Sequence, residues 1–232
     1  MIQLSVILPV HNEKNSIEKV LKEWKRELDK QKIEYLFIVC EDGSTDGTKD
    51  LLAKLQKKYP LGLNQKQKRR GYGTAVIDGI KSADSEYVLC IDSDGQCDPD
   101  DFSKFWNNKE KTHVTIGWRK KRADPLQRRI FSLLFKAVFV ILFPTDIHDP
   151  SAPFVLFKKQ KVMPYIKHLV HLKEGFWWGF VGMCTKKNLS IYELQINHRE
   201  RTSGTTQVYK LNKILGISIR NLIGLFKLKL AK

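Results

Sequence analysis

The stretch Tyr87-Val88-Leu89-Cys90-Ile91-Asp92-Ser93-Asp94-Gly95-Gln96 decides how this chain is read. Its first five residues are mostly apolar, the pattern of a strand buried on both faces. The run leads directly into two carboxylates one residue apart, then a glycine. Unpaired charge is costly away from water, so both acids belong where the strand leaves the core. Hard divalent cations take carboxylate oxygens, and Mg²⁺ or Mn²⁺ held this way commonly also binds a substrate phosphate. The strand end therefore nominates a cation and diphosphate site at Asp92 and Asp94. The competing reading is an Asp-Gly turn that merely ends a strand.

Outward from this strand, the first half alternates strand and helix. Leu4 to Leu8 is an apolar run stopped by Pro9, and Ile17, Val20, Leu21, Trp24 and Leu28 then recur at helical spacing. Asn15 with Glu18 resembles a capping box. Tyr35 to Cys40 reads as a second buried strand, and the turn Asp42 to Gly47 leads into a helix carrying Leu51, Leu52 and Leu55. A shorter helix follows Gly73. This order predicts a parallel sheet covered on both faces, with ligands beyond the carboxyl ends of its strands. Polar clusters fall at three such ends: His11-Asn12-Glu13, Glu41-Asp42-Gly43-Ser44 and Asp92-Ser93-Asp94. Helix capping explains any one of them; the three together point to a site.

The second half is less regular. His113 to Gly117 reads as a strand, followed by the basic residues Arg119-Lys120-Lys121-Arg122 and Arg128-Arg129. Ile130 to Phe143 is apolar but too short to span a membrane, and it fits either a buried helix or an interfacial one. Leu189 to Ile196 alternates like a strand. Leu211 to Lys232 predicts a basic amphipathic helix with Leu211, Ile214, Leu215, Leu222 and Phe226 on one side, suited to a membrane surface, to the core or to a partner helix.

The chain has 41 Lys and Arg against 25 Asp and Glu, a net charge of +16, which favours an anionic partner: nucleic acid, a membrane surface or a phosphorylated substrate. No nucleic-acid-binding motif accompanies the charge, so nucleic acid is not expected. Cys40, Cys90, Cys97 and Cys184 form no Cys-x-x-Cys pair, which fits a reducing compartment. The N-terminal residues lack the features of a signal peptide, and no 18-residue uncharged apolar run occurs.

Taken together, these motifs resemble family 2 glycosyltransferases, and within them the dolichol-phosphate mannose synthase-like group. The resemblance covers roughly Gln3 to Lys210. Pro9-Val10-His11-Asn12-Glu13 is similar to a P-x-Y-N-E signature, with His11 in place of tyrosine. Glu41 to Thr48 resembles D-D-G-S-x-D-G-T, with Glu41 for the first Asp. Arg70-Gly71-Tyr72-Gly73-Thr74-Ala75, Asp92-Ser93-Asp94-Gly95-Gln96, Gly117-Trp118-Arg119, Asp149 to Phe154 and Arg201 to Thr206 resemble later segments, with Pro153 where a glycine is usual.

The resemblance implies a GT-A fold: a Rossmann-like α/β architecture with a mostly parallel central sheet, helices on both faces and amphipathic C-terminal helices. It implies a catalytic domain over 1–210 and a membrane-facing helix over 211–232. Pro9, His11, Asn12, Glu13, Asp42, Ser44, Gly71, Asp92 and Ser93 would surround a nucleotide sugar, with a GDP- or UDP-sugar as donor. Asp92, Asp94 and Gln96 would hold Mg²⁺ or Mn²⁺. Arg119, Arg128, Arg129 and Arg201 would bind the phosphate of a polyprenyl phosphate acceptor, and Asp92, Asp94, Arg119 and Arg201 would carry the catalysis. The implied location is peripheral, on the cytoplasmic membrane face. Many relatives carry an acid in the segment that reads Phe176-Trp177-Trp178-Gly179-Phe180 here. Its absence favours an acceptor that is already anionic over a hydroxyl acceptor, for which Glu174 or Asp149 would have to act as base.

Overall fold

A computed structural model describes residues 2–120, 126–200 and 211–231. The element order is β1 (Leu4–Val10), α1 (Ile17–Lys30), β2 (Tyr35–Asp42), α2 (Thr48–Leu55), β3 (Leu61–Lys66), α3 (Tyr72–Ser82), β4 (Tyr87–Cys90), α4 (Phe102–Asn107), β5 (Val114–Arg119), α5 (Leu126–Leu142), β6 (Val155–Lys158), α6 (Lys159–Val162), α7 (Phe176–Lys186), β7 (Ile191–Ile196) and α8 (Leu211–Leu230). The seven strands form one sheet in the order β3-β2-β1-β4-β6-β5-β7. β3, β2, β1 and β4 run parallel to one another, as the alternation of strand and helix requires. β6 is antiparallel to both β4 and β5, and β7 pairs parallel with β5. The mostly parallel α/β sheet expected from the sequence is therefore present.

Alternation along β1 divides the core into two layers. Leu4, Val6, Leu8 and Val10 pack with α1, α2 and α4, where Trp24 meets Phe102 and Phe154 edge-on at 6.0 and 5.5 Å. Ile7 faces the other layer, with Ile80 of α3, Phe139 of α5, Phe180 of α7 and Leu225 of α8. Each of these fully buried side chains contributes about 1.5–3 kcal/mol. At Gly79 a Cβ would lie 2.5 Å from Ile7 and 2.9 Å from the Cys40 sulfur, so only glycine lets α3 lie this close to the sheet.

Several expectations change in detail. β1 runs through Pro9 to Val10 rather than stopping at Pro9. The Pro9 carbonyl accepts from the Ser93 hydroxyl, and a residue's N–H and C=O point to the same side of a strand, so the missing N–H lies beyond the last β4 pair, Ile7 with Cys90. The β1–β4 ladder ends there, its last bond running from the Ile91 N–H to the Ile7 carbonyl at 3.2 Å. The Asn15–Glu18 capping box does not form: α1 begins at Ile17 with Ser16 at the cap, and the Ser16 hydroxyl donates to the Glu13 carboxylate at 2.5 Å. The inward stripe of α8 is Ile217, Asn221, Leu225 and Leu228, whereas Phe226, expected to share the apolar side, is exposed. Apart from the sector holding Lys213, Arg220 and Lys227, most of the circumference of α8 carries apolar residues, so periodicity alone could not select the buried face.

Over its described side chains, the 130–143 stretch in α5 is buried on one side and exposed on the other. Phe139 and Phe143 are buried, while Leu133, Leu134 and Ile141 are 66, 62 and 79% exposed. α8 packs on α5 and α7 and exposes a second stripe, Ile219, Ile223, Phe226 and Leu230. Among the described residues no helix is long and apolar enough to cross a membrane.

Candidate active site

The carboxyl ends of β2, β1 and β4 lie side by side, so the three polar clusters share one edge of the sheet. The first two are laced together. The Asn12 N–H donates to Ser44 Oγ at 2.9 Å, and the Thr45 N–H donates to Asn12 Oδ1 at 2.9 Å. The Glu13 N–H donates to Thr48 Oγ1 at 3.0 Å, and Thr48 in turn donates to Asp46. Asn12 adopts φ 57°, a left-handed conformation that asparagine tolerates better than most residues. The Ser44 N–H donates to the buried Glu41 carboxylate.

Asp42 accepts from the Arg70 and Gly71 N–H groups, each at 2.8 Å, one on each oxygen. This fastens the segment before α3 to the end of β2. The close approach requires Gly43, at φ 75°, because a Cβ there would lie 2.4 Å from the Arg69 nitrogen. His11 sits beside this cluster, with Nδ1 buried and without a hydrogen-bond partner. Burial first, then the charge of Arg69, lower its pKa below the usual imidazole value and favour the neutral ring.

At the end of β4, Ser93 donates to the Pro9 carbonyl at 2.8 Å and the Gln96 N–H donates to Asp94 Oδ1 at 3.1 Å. These bonds hold the Asp92–Gln96 turn against β1. Asp92 Oδ1 accepts the Tyr72 hydroxyl at 2.7 Å, and the Trp177 indole N–H donates to the Tyr72 oxygen at 2.8 Å. Burial, then the Asp92 charge, push the Tyr72 phenol well above its ordinary pKa, so it stays protonated and donates. On the far side, the Arg199 N–H donates to the Gln96 carbonyl at 3.0 Å and an antiparallel bridge joins Cys97 to His198.

Arg119, the last residue of β5, completes the described edge. Its Nε and Nη2 bind the two Asp149 oxygens at 2.8 and 3.1 Å, and Nη2 also reaches Ser151 Oγ at 2.9 Å. Burial alone would lower its pKa, but the charges of Asp149 and then Asp92 outweigh burial and raise it. Glu193 on β7 supports this pair from behind. It accepts the His148 and Asp149 N–H groups at 2.9 and 2.8 Å and meets the His148 ring at 2.7 Å, while that ring stacks on Trp118.

Thus Pro9, His11, Asn12, Glu13, Asp42, Ser44, Gly71, Asp92, Ser93, Asp94, Gln96 and Arg119 lie along one edge. Arg201 lies outside the described residues, as do the side chains of Arg128 and Arg129. Among the described residues no three His, Cys, Asp or Glu side chains converge as a complete metal cage. The donor set still fits a cation shared with a substrate: two carboxylates and an amide oxygen on one turn match a hard ion that takes one or two protein carboxylates plus phosphate oxygens. Glu193, His198 and Arg199 drew no role from the sequence; Tyr72 was readable only as part of the glycine-containing segment before the aspartate strand, and Trp177 only as an aromatic suited to sugar stacking, a membrane interface or the core.

Comparison with known proteins agrees with this architecture. The model for "Glycosyl transferase family 2" matches residues 5–165. A dolichol-phosphate mannosyltransferase of Pyrococcus furiosus is 29% identical over 168 residues, covering 69% of this chain and 47% of the relative, so the chain spans about half of that protein's length. A dolichyl-phosphate beta-glucosyltransferase of Dictyostelium discoideum is 26% identical over 98% of this chain and 77% of its own length. An undecaprenyl-phosphate 4-deoxy-4-formamido-L-arabinose transferase of Proteus mirabilis is 21% identical over 93% of this chain and 65% of the relative. Among solved structures, glucosyl-3-phosphoglycerate synthase from Mycobacterium tuberculosis, in complex with Mn²⁺, UDP-glucose and phosphoglyceric acid, superposes with a TM-score of 0.73 at 18% identity. That match covers 98% of this chain and 79% of the synthase, a likeness of fold. With the family model spanning most of the sheet and the whole β1-β2-β4 edge, the chain belongs to glycosyl transferase family 2.

Proposed function

We propose that this protein transfers a sugar from a nucleotide diphosphate sugar to a polyprenyl phosphate at a membrane surface, with inversion at the anomeric carbon. One observation carries the reading: the polar ends of three adjacent parallel strands in a family 2 fold share the sheet edge that carries Asp92 and Asp94. The relatives named for dolichol, dolichyl and undecaprenyl phosphate support the acceptor class. The synthase solved with Mn²⁺ and UDP-glucose supports a divalent cation and makes UDP-sugars the first donors to try, with GDP-sugars next.

In this reading Pro9, His11, Asn12, Glu13, Asp42, Ser44, Gly71 and Ser93 shape the nucleotide pocket. Asp92, Asp94 and Gln96 hold Mg²⁺ or Mn²⁺, which when bound offsets the negative charge developing on the leaving diphosphate. An acceptor phosphate is anionic before it attacks and needs cations to position it rather than a base to deprotonate it. Arg119, Arg128, Arg129 and Arg201 take that role. A hydroxyl acceptor would need a base: Asp149 is held in the buried pair with Arg119, and Glu174, in a solvent-exposed contact with Arg220 at 3.3 Å, is the acid to neutralise in testing that alternative.

The exposed apolar stripes of α5 and α8 support contact with a membrane surface; in this reading the protein is peripheral on the cytoplasmic face, with residues 1–210 as catalytic domain and 211–232 as the membrane-facing helix. Each Lys or Arg near an anionic leaflet adds about 1 kcal/mol. The test is a thermal-shift screen of UDP- and GDP-sugars with Mn²⁺ and Mg²⁺, then transfer of radiolabelled sugar to short polyprenyl phosphates. Label moving to a soluble oligosaccharide but not to the lipid phosphate would sink the reading.

A further inference from the structure

Tyr72, Trp177 and Asp92 form a hydrogen-bonded line that no motif assigns. An indole N–H can only donate, so the Tyr72 oxygen accepts from Trp177, and its single O–H is left for Asp92 Oδ1. The direction of both bonds follows from this chemistry. The ends of the line are held by separate parts of the fold. Tyr72 opens α3, where the preceding Arg70 and Gly71 N–H groups are tied to Asp42 and the following Gly73 N–H donates to the Lys173 carbonyl at 2.9 Å. Gly73 admits no side chain, since a Cβ would lie 2.6 Å from the Leu172 carbonyl oxygen. Trp177 is buried in the first turn of α7, edge-on to Phe176 and Phe180. The 171–175 segment before it is covered by α8: at Gly224 a Cβ would meet Leu172 at 2.7 Å, and at Gly175 one would meet the buried Asn221 at 2.6 Å.

We propose that Tyr72 and Trp177 are positioning residues that orient Asp92 for the divalent cation and donor diphosphate; this rests on the functional reading above. A carboxylate held by an outer donor meets a cation already oriented, and removing such a partner typically weakens metal binding by about 10- to 100-fold. The relay also runs from the helix proposed to face the membrane, through the 171–177 segment, to the carboxylate.

The experiment measures Mn²⁺ affinity by the EPR signal of unbound Mn²⁺, in the presence of saturating UDP or GDP, whichever shifts the wild-type melting temperature. Tyr72→Phe removes only the hydroxyl and is expected to weaken Mn²⁺ by about 10-fold or more. Trp177→Phe leaves the Tyr72 donor in place and is expected to cost less. The double variant is expected to match Tyr72→Phe alone, because both act through one bond to Asp92. Kd values within twofold of wild type for Tyr72→Phe would overturn the proposal, even if its melting temperature falls. If Tyr72→Phe does not fold, an unchanged Kd in Trp177→Phe overturns it. Wild-type protein that binds neither Mn²⁺ nor nucleotide would overturn the functional reading, and this proposal with it.

Discussion

On the β3-β2-β1-β4 side of the sheet, every neighbour is parallel and every site residue lies within a few positions of a strand end. The contacts there use backbone N–H groups and short side chains: Asn12 with Ser44, Asp42 with Arg70 and Gly71, Ser93 with Pro9. On the β6-β5-β7 side, antiparallel β6 reverses the chain, and the contacts are made by longer side chains: Arg119 with Asp149, the Tyr72 hydroxyl with the Trp177 indole, and the Gln96 amide with the Arg199 carbonyl. The first region creates the carboxylate edge, and the second holds its members in place. Adjacent parallel strand ends gather the acids and N–H groups, whereas longer side chains packed in from the surrounding elements fix the orientation of those acids.

The most severe way to break this comparison is Asp94→Asn. Asparagine keeps an acceptor for the Gln96 N–H but loses the charge a cation needs, so turnover should fall by about 100-fold or more while the melting temperature stays within about 2 °C. Unchanged turnover with every nucleotide sugar would remove Asp94 from the chemistry. Next comes Asp149→Ala. The Arg119–Asp149 pair is buried, with side chains 11 and 5% exposed, and stranding the arginine should destabilise by about 3–5 kcal/mol, lowering the melting temperature by about 10 °C. A loss below about 1 kcal/mol would mean that Arg119 is not held in place by this pair.

The two faces of α8 sharpen the contrast further. Leu225→Ala, at a fully buried position, should cost about 2–5 kcal/mol in denaturant unfolding. Ile223→Ser on the exposed stripe should change stability by less than about 0.5 kcal/mol yet reduce partitioning onto anionic vesicles. Equal vesicle binding would remove that stripe from the membrane surface. The smallest effect concerns His11. Its folded pKa lies below the unfolded value near 6.5, so its contribution to stability is present above that value and lost as pH falls through the folded pKa. His11→Tyr should therefore lose less melting temperature than wild type between pH 7 and 5.5, by about 1–2 °C. Parallel melting curves would show that His11 does not titrate in this window.

The parts that were readable in advance share a physical cause. β1, β2 and β4 are continuous apolar runs because parallel strands are buried on both faces, and their polar ends follow directly in sequence. β3 gave no such signal: Leu61–Lys66 is a partly exposed edge strand with Asn64, Gln65 and Lys66 in its second half. β6 has only four residues, Val155–Lys158, too few for a period to emerge. The polar ring around the site was readable as residue types, but its pairings were not. Nothing near Trp177 in sequence indicates Tyr72, and nothing near Asp149 indicates Glu193.

By itself the sequence determined the strand-helix alternation, the parallel half of the sheet, the three polar strand ends and the family. These depend on short-range patterns: apolar runs, turns and residues a few positions apart. Only the tertiary structure decided that β6 runs antiparallel, that α8 buries Ile217, Asn221, Leu225 and Leu228 rather than Phe226, and that Arg119 is engaged by Asp149. It alone decided that Asp92 receives its hydrogen bond from Tyr72 and, through it, from Trp177. These outcomes depend on which surfaces meet, and a chain that is apolar on several faces leaves that choice to packing.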